Sequence, residues 1–360
     1  MKKEDLKGIV VRGNNNSYEN VCTFLKKTLA FEILNLQVKK NGSSIISKKE
    51  GFKEGIKSYI FLLKNISKIK EKETIISIGH YTSLFLFVLN KLHIIHPRKL
   101  YWWAFFIHSS KMQRILKVIL KPLLVQNTNL ILFSKCEIQL YKEKMGISEN
   151  KMISIPYGDW NSEGRNRQIT TENLQNKTEE NYYFSGGYSN RDYRSLLQTW
   201  TKLFPEKKLI IIGSKNNKDL LEYLKKQETT QKNASTSISV MLDMPSEEFD
   251  RYLIGARACI LPFRENTGAS GQSVTLRCMK YHKLIVSTDI YIMREYVKDR
   301  VSGFLLKDFD KDLKNTIKLI EIMSDSEKEK MKSEQDSIFN KKFAHEVITS
   351  RLVKTLCDRC

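Results

Sequence analysis

The loop Glu265–Gly271 has a composition suited to holding an anion with its backbone. It follows the apolar run Cys259–Phe263, which is typical of the end of a buried strand. Two glycines let the loop bend sharply and present bare N–H groups. The helix predicted from Gln272 adds unpaired donors and the positive end of its dipole. The candidate site residues in this stretch are Glu265, Gly268, Ser270, Gly271, Gln272 and Ser273.

A second loop of this kind begins at Gly186 and Gly187, which end a predicted strand. Glycine lets a backbone approach a phosphate closely, and Arg191 and Arg194 place charged donors at the start of the next helix. These residues predict a phosphate-binding site, and an alternative is that the helix is capped and both arginines are solvated. The cap would be Asp192. A further site candidate is Gly213, which ends another predicted strand.

The elements that must position these loops alternate between strand and helix along the chain. Predicted strands in the first half are Gly8–Arg12, Phe31–Val38, Thr74–Ile78, Leu100–Ile107, Asn129–Phe133 and Lys151–Ile155. Helical spacing of apolar residues fills the intervals, for example over Phe52–Ile69. This alternation predicts a doubly wound α/β domain with a parallel sheet.

The second half repeats the alternation after a polar stretch. Residues 161–181 have too little apolar surface to join a core, so they are predicted to be a linker. The length of 360 residues also fits two domains. We predict an N-terminal domain over residues 1–160, a C-terminal domain over residues 182–335, and a C-terminal helix over residues 336–360 that packs back on the N-terminal domain.

Positive charge is concentrated in the first half. Residues 1–160 hold 27 Lys and Arg against 12 Asp and Glu, an excess of 15 out of the net +21. Such a field attracts nucleic acid or an anionic membrane surface, although a lysine-rich proteome is an alternative cause. No nucleic-acid motif accompanies the charge, so no nucleic-acid partner is expected. The basic amphipathic segment Ser109–Leu124 favours an anionic membrane surface.

The sequence shows no signal-peptide pattern after Met1 and no membrane span. The longest uncharged run, Thr74–Asn90, has 17 residues, and Gly79 divides it into a strand pattern and a helix pattern that are each too short. The cysteines are scattered, and the CxxC pair of Cys357 and Cys360 has no second pair or His cluster beside it. These features predict a cytoplasmic protein with reduced thiols, or one bound peripherally to the inner face of the membrane.

Motifs across the second half resemble the donor-binding domain of GT-B glycosyltransferases, and family 4 is the most similar. They are FSGGYSNRDYRSLL at 184–197, LIIIGS at 209–214, LDMPSEEFDRYLIGARACILPF at 242–263, TGASGQSVTLRCMKYHKLIVSTD at 267–289 and EYVKDRVSGFLL at 295–306. The first half resembles the acceptor domain more weakly, through WAFFIHS, NLILFSKCEIQLYKEKMGI and KMISIPYG. The resemblance implies an α/β fold of the GT-B type, with two doubly wound Rossmann-like domains facing a central cleft. It also implies a nucleotide sugar in that cleft, with its diphosphate on the second domain.

The chain departs from the family pattern at two positions. Family members usually carry two glutamates eight positions apart, and these places fall here on Ala269 and Arg277. Glu265 could replace the first glutamate only if the loop is rearranged, and Arg277 is a further candidate for the donor site. Arg191 matches the phosphate-binding basic position of the family. The resemblance therefore leaves open which sugar is carried and whether its anomeric configuration is retained.

Two histidines are the candidate catalytic residues. His108 ends a predicted strand where this family commonly places a histidine facing the cleft, and His80 also follows a strand. The alternative for each is a purely structural role. Glycosyl transfer needs the charge of the leaving diphosphate stabilised and the acceptor oxygen positioned. Since the sequence has no His/Cys cluster with ligand spacing, no metal and no other cofactor is expected.

The sequence therefore predicts a hexosyltransferase-like glycosyltransferase, with retention of configuration as the working expectation. It would move a sugar from a nucleotide diphosphate donor, such as a UDP- or GDP-sugar, to a glycan or lipid-linked acceptor in cell-surface polysaccharide synthesis. The alternative is a non-catalytic, degenerate GT-B protein that binds a nucleotide sugar or a glycan.

Overall fold

Two parallel six-stranded sheets organise the chain, one in each of two compact units. The computed structural model describes residues 7–13, 18–36, 48–107, 110–160, 181–229, 237–264 and 270–357. The first unit comprises Met1–Pro156 and Ile348–Cys360, and the second comprises Tyr157–Val347. The architecture is α/β, as the alternation of strand and helix patterns predicts.

The first unit is built on six parallel strands. They are β1 (Gly8–Arg12), β2 (Glu32–Asn35), β3 (Thr74–Ile78), β4 (Lys99–Trp103), β5 (Thr128–Leu132) and β6 (Met152–Ser154). Their order across the sheet is β2-β1-β3-β4-β5-β6. Every residue of β1, β3 and β5 is buried, because a parallel sheet is covered on both faces.

Helices connect these strands. They are α1 (Glu19–Leu29), α2 (Lys48–Lys64), α3 (Ile66–Lys70), α4 (His80–Lys91), α5 (Ser110–Leu120) and α6 (Lys135–Met145). The predicted helix Phe52–Ile69 is broken between α2 and α3. At the break, Asn65 Nδ2 donates to the carbonyl oxygen of Phe61 at 2.8 Å, a local bond that competes with continued helix.

The uncharged run Thr74–Asn90 folds as β3 followed by α4, which confirms its predicted division. Gly79, between them, has φ +111°, a conformation that favours glycine and redirects the chain at the strand end. Within the described residues, no helix combines the length and the apolarity needed to cross a membrane.

The second unit repeats the design with a second set of six strands. They are β7 (Tyr182–Gly186), β8 (Lys208–Gly213), β9 (Ile238–Leu242), β10 (Ala258–Leu261), β11 (Leu284–Thr288) and β12 (Phe304–Leu306). Their order is β12-β11-β10-β7-β8-β9, and all neighbouring pairs are parallel. The loops after β7, β9 and β10 therefore leave the sheet at one edge.

The helices of the second half begin with α7 (Tyr193–Leu203) and end with α14 (His345–Cys357). Between them lie α8 (Lys218–Thr229), α9 (Ser246–Gly255), α10 (Gln272–Lys280), α11 (Met293–Tyr296), α12 (Phe309–Ile322) and α13 (Asp325–Lys342). The predicted C-terminal helix over residues 336–360 is interrupted after α13, where the ring of Phe343 stacks on Tyr296 with centroids 4.3 Å apart. The end of α14 belongs to the first unit, where Tyr101 Oη donates to the carbonyl oxygen of Thr355 at 3.4 Å.

Candidate functional site

A cavity of about 410 Å³ lies at the carboxyl edge of the second sheet. Gly187 follows β7, Met244 and Ser246 follow β9, and Gly271 precedes α10. The other lining residues are Tyr188, Ser189, Arg191, Phe249, Ser273, Val274 and Arg277. In doubly wound folds, this edge of the sheet is where ligands bind. The lining that the structure describes contains two arginines and no carboxylate.

Arg191 is the buried cation of this cavity, with 3% of its surface exposed. Its Nε donates to the carbonyl oxygen of Gly186 at 3.0 Å, and its Nη1 donates to that of Ser189 at 3.1 Å. The guanidinium lies 4.4 Å from the centre of the Phe263 ring. Burial lowers the pKa of Arg191, because desolvation disfavours the charged form. Across the described ranges, no carboxylate forms an ion pair with it, so an anionic ligand is its natural partner.

Two glycines make room for this arginine and its ring. Gly187 has φ +127°, and a Cβ there would collide with the Arg191 guanidinium. Gly271 has φ +81°, and a Cβ there would collide with the Phe263 ring. Both positions therefore require glycine for conformation as well as for space. They bring the backbone after β7 and the backbone just before α10 close to one charged group.

The N-terminus of α10 contributes donors to the same edge of the sheet. Gly271 is the N-cap residue of this nine-residue helix and has no side chain to satisfy the first-turn N–H groups. Ser270, immediately before it, is 2% exposed, and its Oγ has no hydrogen-bond partner among the described residues. A helix N-terminus with unsatisfied donors favours negative charge.

Arg277 is the second cation of the cavity and is held in place from α9. Its Nη1 donates to Asp250 Oδ1 at 3.0 Å and its Nη2 donates to Ser246 Oγ at 2.9 Å. Its guanidinium lies 5.2 Å from the centre of the Phe249 ring. Tyr281 Oη donates to the other oxygen of Asp250 at 3.1 Å. The pKa of Tyr281 is raised, mainly because the side chain is buried and also because this carboxylate is negatively charged. These contacts orient Arg277 before any ligand arrives.

Several residues predicted for the site are brought together, and others are placed elsewhere. Gly187, Arg191, Gly271, Ser273 and Arg277 line the cavity. Gly186 supplies a carbonyl oxygen to Arg191, while Ser270 and Gln272, both buried, flank Gly271.

Arg194 and Gly213 lie away from the cavity lining. Arg194 is ion-paired with Asp219 at 3.3 Å and with Glu222 at 3.2 Å, on α8. Gly213 ends β8, where a Cβ would collide with Leu220. The cap considered as an alternative is present as well, because the Asp192 side chain accepts from the backbone N–H of Ser195 at 3.2 Å.

The remaining candidates lie in the first unit or outside the described residues. His80 begins α4, and its ring lies 5.4 Å from that of Phe106 and 6.0 Å from that of Trp102. His108, Glu265, Gly268 and Ala269 are outside the described residues.

Asp250, Ser246 and Phe249 were not predicted for the site, although they hold Arg277. No sequence pattern marks them for this role, because α9 and α10 come together only when the strands that connect them join the sheet. Among the described residues, no group of three or more His, Cys, Asp or Glu side chains is placed to hold a metal ion.

A family model matches most of the second half of the chain. Residues 166–336 match the family model described as glycosyl transferases group 1. A search among curated proteins gives no match.

Solved structures with similar folds cover nearly the whole chain. HepE of Anabaena, solved with UDP-glucose, is 13% identical, with 98% of this chain and 99% of that chain covered and a TM-score of 0.66. A glycosyltransferase from Rickettsia africae is 12% identical, with 99% of each chain covered and a TM-score of 0.69. The lipopolysaccharide outer core galactosyltransferase WaaB is 13% identical, with 98% and 100% covered and a TM-score of 0.66. At these identities the likeness establishes the fold, which is GT-B as predicted.

Proposed function

We propose that this chain, whose residues 166–336 match the group 1 glycosyl transferases, moves a sugar from a nucleotide diphosphate donor to a glycan or lipid-linked acceptor. The observation that carries the proposal is Arg191, a buried cation without a carboxylate partner among the described residues, at the edge of a cavity. Gly187 after β7, and Gly271 at the start of α10, lie at the same edge. Together they form a diphosphate site with positive charge and backbone donors.

The residues of this site would act on the leaving group of the reaction. When the bond between sugar and diphosphate breaks, negative charge grows on the nucleoside diphosphate. Arg191 and the N–H groups at the start of α10 are fixed in place and stabilise that charge without reorganising. Gly187 lets the backbone approach the phosphates closely. The rest of the cavity, beside Met244 and Phe249, would hold the nucleoside.

The acceptor belongs to the same proposal. A glycan or lipid-linked acceptor in cell-surface polysaccharide synthesis agrees with the similarity to WaaB, which is a lipopolysaccharide outer core galactosyltransferase. We also propose that the configuration of the sugar is retained and that His80 or His108 contacts the acceptor hydroxyl. Both proposals are based on family resemblance. Synthesis would take place on the cytoplasmic side, where nucleotide sugars are made.

UDP or GDP is expected to raise the melting temperature of the protein. A ligand present at about 100 times its Kd adds about 2.7 kcal/mol to the free energy of unfolding. Differential scanning fluorimetry with UDP, GDP, ADP and CDP measures the shift, and a panel of nucleotide sugars then identifies the donor. If no nucleoside diphosphate shifts the melting temperature, the proposal fails.

A second candidate function is that of a non-catalytic nucleotide-sugar or glycan binder. It is favoured by Arg277, which replaces a glutamate usual in this family and is already ion-paired with Asp250. The two candidates separate when nucleotide sugars are incubated with acceptor glycans and the release of nucleoside diphosphate is measured. Tight binding of a nucleotide, with no release of nucleoside diphosphate from any nucleotide sugar, would identify the non-catalytic binder.

Peripheral binding to an anionic membrane is also part of the proposal, and α5 is its first candidate. In this helix Ile115, Val118 and Ile119 are 47, 75 and 43% exposed. Arg114 directly precedes Ile115, and Lys117 lies between Ile115 and Val118 in the sequence. A helix of this kind lies in the membrane interface, and basic residues near the surface add about 1 kcal/mol each.

Flotation with lipid vesicles is expected to show binding that weakens as salt rises. Vesicles containing phosphatidylserine should carry the protein upward in the gradient, whereas phosphatidylcholine vesicles should not. Equal binding to both kinds of vesicle, or binding to neither, contradicts this part of the proposal.

A further inference from the structure

The first unit has its own switch point at the carboxyl edge of its sheet, between β1 and β3. These two strands are neighbours, but the chain leaves β1 toward β2 on one side and leaves β3 toward β4 on the other. In doubly wound folds, ligands bind where neighbouring strands lead in opposite directions. The described residues at this switch point are Gly13 after β1, and Gly79 and the start of α4 after β3.

The two glycines bring the ends of β1 and β3 into contact with the start of α4. Gly13 N donates to the carbonyl oxygen of Ile78 at 2.7 Å. A Cβ on Gly13 would lie 2.7 Å from Thr82 Oγ1, and a Cβ on Gly79 would lie 3.4 Å from Gly13 Cα. Glycine is required at Gly13 for space and at Gly79 for its φ of +111°. No side chain of either residue therefore covers the first turn of α4.

Helix α4 begins without a side-chain cap. Its N-cap residue is Gly79, and its first turn contains no acidic residue. The first bond within the helix is donated by Ser83 N to the carbonyl oxygen of Gly79 at 2.9 Å. The N–H groups of Tyr81 and Thr82 therefore have no acceptor within the helix. This end of the 12-residue helix carries the positive end of its dipole.

The hydroxyl of Thr82 lies at the same place and lacks a partner. Thr82 is 1% exposed, and its Oγ1 forms no hydrogen bond within the part of the chain that the structure describes. The neighbouring hydroxyl of Ser83, which is also buried, is bonded to Ser77 Oγ at 2.8 Å. A buried hydroxyl without a partner lowers stability. Together with the helix N–H groups, it indicates a ligand with acceptor oxygens.

The charge around this switch point is positive. Arg12, the last residue of β1, directly precedes Gly13 and is 7% exposed. Residues 74–136, which include β3 and α4, contain eight Lys and Arg and no Asp or Glu. An anion at the start of α4 is therefore attracted by this part of the chain and meets no acidic side chain from it.

We propose that the start of α4 binds a phosphate group of the acceptor. The inference rests on the proposed function and specifies its acceptor as a phosphorylated compound, either a sugar phosphate or a lipid diphosphate. A phosphate has several acceptor oxygens, which suits the N–H groups of Tyr81 and Thr82 and the Thr82 hydroxyl. The nucleotide has its proposed phosphate site at Arg191 in the second unit, so a phosphate held by the first unit belongs to the other substrate.

Isothermal titration calorimetry tests the site while a saturating nucleoside diphosphate, UDP or GDP, occupies the second unit. The probes are glucose 1-phosphate, a sugar phosphate, and geranyl diphosphate, a short lipid diphosphate. Glucose and geraniol are the matching compounds without phosphate. At least one phosphorylated probe is expected to bind, and its matching compound should bind at least about tenfold more weakly. The probe that binds more tightly identifies the kind of acceptor.

Variants of Thr82 locate the phosphate. Thr82→Val removes the hydroxyl at nearly constant volume and is expected to weaken binding of that probe about tenfold. Its melting temperature should not fall, because no hydrogen bond among the described residues is lost. A threonine with a purely structural role would lower the melting temperature and leave the Kd unchanged. Thr82→Ser keeps the hydroxyl and should bind within about twofold of the parent.

Thr74→Val is the matched control. Thr74 is also 1% exposed, and its Oγ1 likewise has no partner in the described ranges, but it lies at the opposite, amino end of β3. Its replacement should leave the Kd of the phosphorylated probe unchanged. The melting shift caused by UDP or GDP should be the same in the parent and in all three variants.

The inference is overturned if UDP or GDP shifts the melting temperature but no phosphorylated probe binds. It is overturned as well if Thr82→Val binds the probe as tightly as Thr74→Val does. Weaker UDP or GDP binding by Thr82→Val also contradicts it, because the phosphate at α4 would then belong to the nucleotide. The absence of any nucleotide-induced shift in the parent contradicts the proposed function, and the acceptor role of this site with it.

Discussion

Replacing Arg191 by alanine is expected to weaken UDP or GDP binding by about 1.5 to 3 kcal/mol, roughly ten- to a hundredfold. The guanidinium is buried and has carbonyl oxygens and the Phe263 ring as its neighbours. A phosphate would contact it where little water is present to screen the two charges, so the charged hydrogen bond contributes strongly to the binding free energy. Isothermal titration calorimetry with each nucleotide measures the change.

Arg194→Ala is the matched control for this prediction. Arg194 lies three residues further on, but it is 60% exposed and ion-paired with Asp219 and Glu222. Its loss should leave the Kd within about twofold of the parent value, since exposed ion pairs contribute little. Arg191→Lys keeps the charge without the planar fork and should give an intermediate Kd. If Arg194→Ala weakens binding and Arg191→Ala does not, the diphosphate lies elsewhere.

Replacing Arg277 by glutamine is expected to weaken nucleotide binding by about the value of one charged hydrogen bond, 1.5 to 3 kcal/mol. Asp250 and Ser246 hold the guanidinium at the cavity wall, so a ligand gains a donor without the entropy of ordering it. The salt dependence of binding should also be smaller in the variant than in the parent. Calorimetric titrations at low and high salt measure both effects.

A second set of variants distinguishes an Arg277 that contacts the ligand from one that lies in a site without catalytic function. Arg277→Glu alone would bring a carboxylate next to Asp250, so the double variant Arg277→Glu and Asp250→Asn tests the family's usual acidic residue without that repulsion. Tighter binding by this double variant would favour the non-catalytic binder. Arg251→Gln is the control, because Arg251 is 62% exposed and pairs with Glu248.

Local sequence patterns predicted the elements of the fold well where a single residue decides the outcome. Gly79 divides the uncharged run Thr74–Asn90 into β3 and α4, and no other residue type suits its backbone conformation. Elements decided by tertiary contact were missed. Strand β12 has three residues, which are too few to show the alternation of buried and exposed side chains typical of a strand. Its pairing with β11 depends on the rest of the sheet.

The site was predictable only in part, for a related reason. Arg191 and Arg194 look equivalent in the sequence, three positions apart at the start of one helix. Folding buries the first against Phe263 and pairs the second with α8, and these partners lie 25 or more residues away along the chain. The same holds for Asp250 and Arg277, which are 27 residues apart. Pairings at such separations follow from sheet order, which local patterns do not encode.

The burial of Arg191 also has a consequence for the energetics of folding. A charge removed from water lowers stability unless a well-placed opposite charge compensates, and carbonyl oxygens with an aromatic ring compensate only in part. An apolar side chain of similar volume at this position, as in Arg191→Met, would avoid that loss and make the second unit harder to unfold. Stability and anion binding therefore set opposing demands on this one position, and the arginine favours binding.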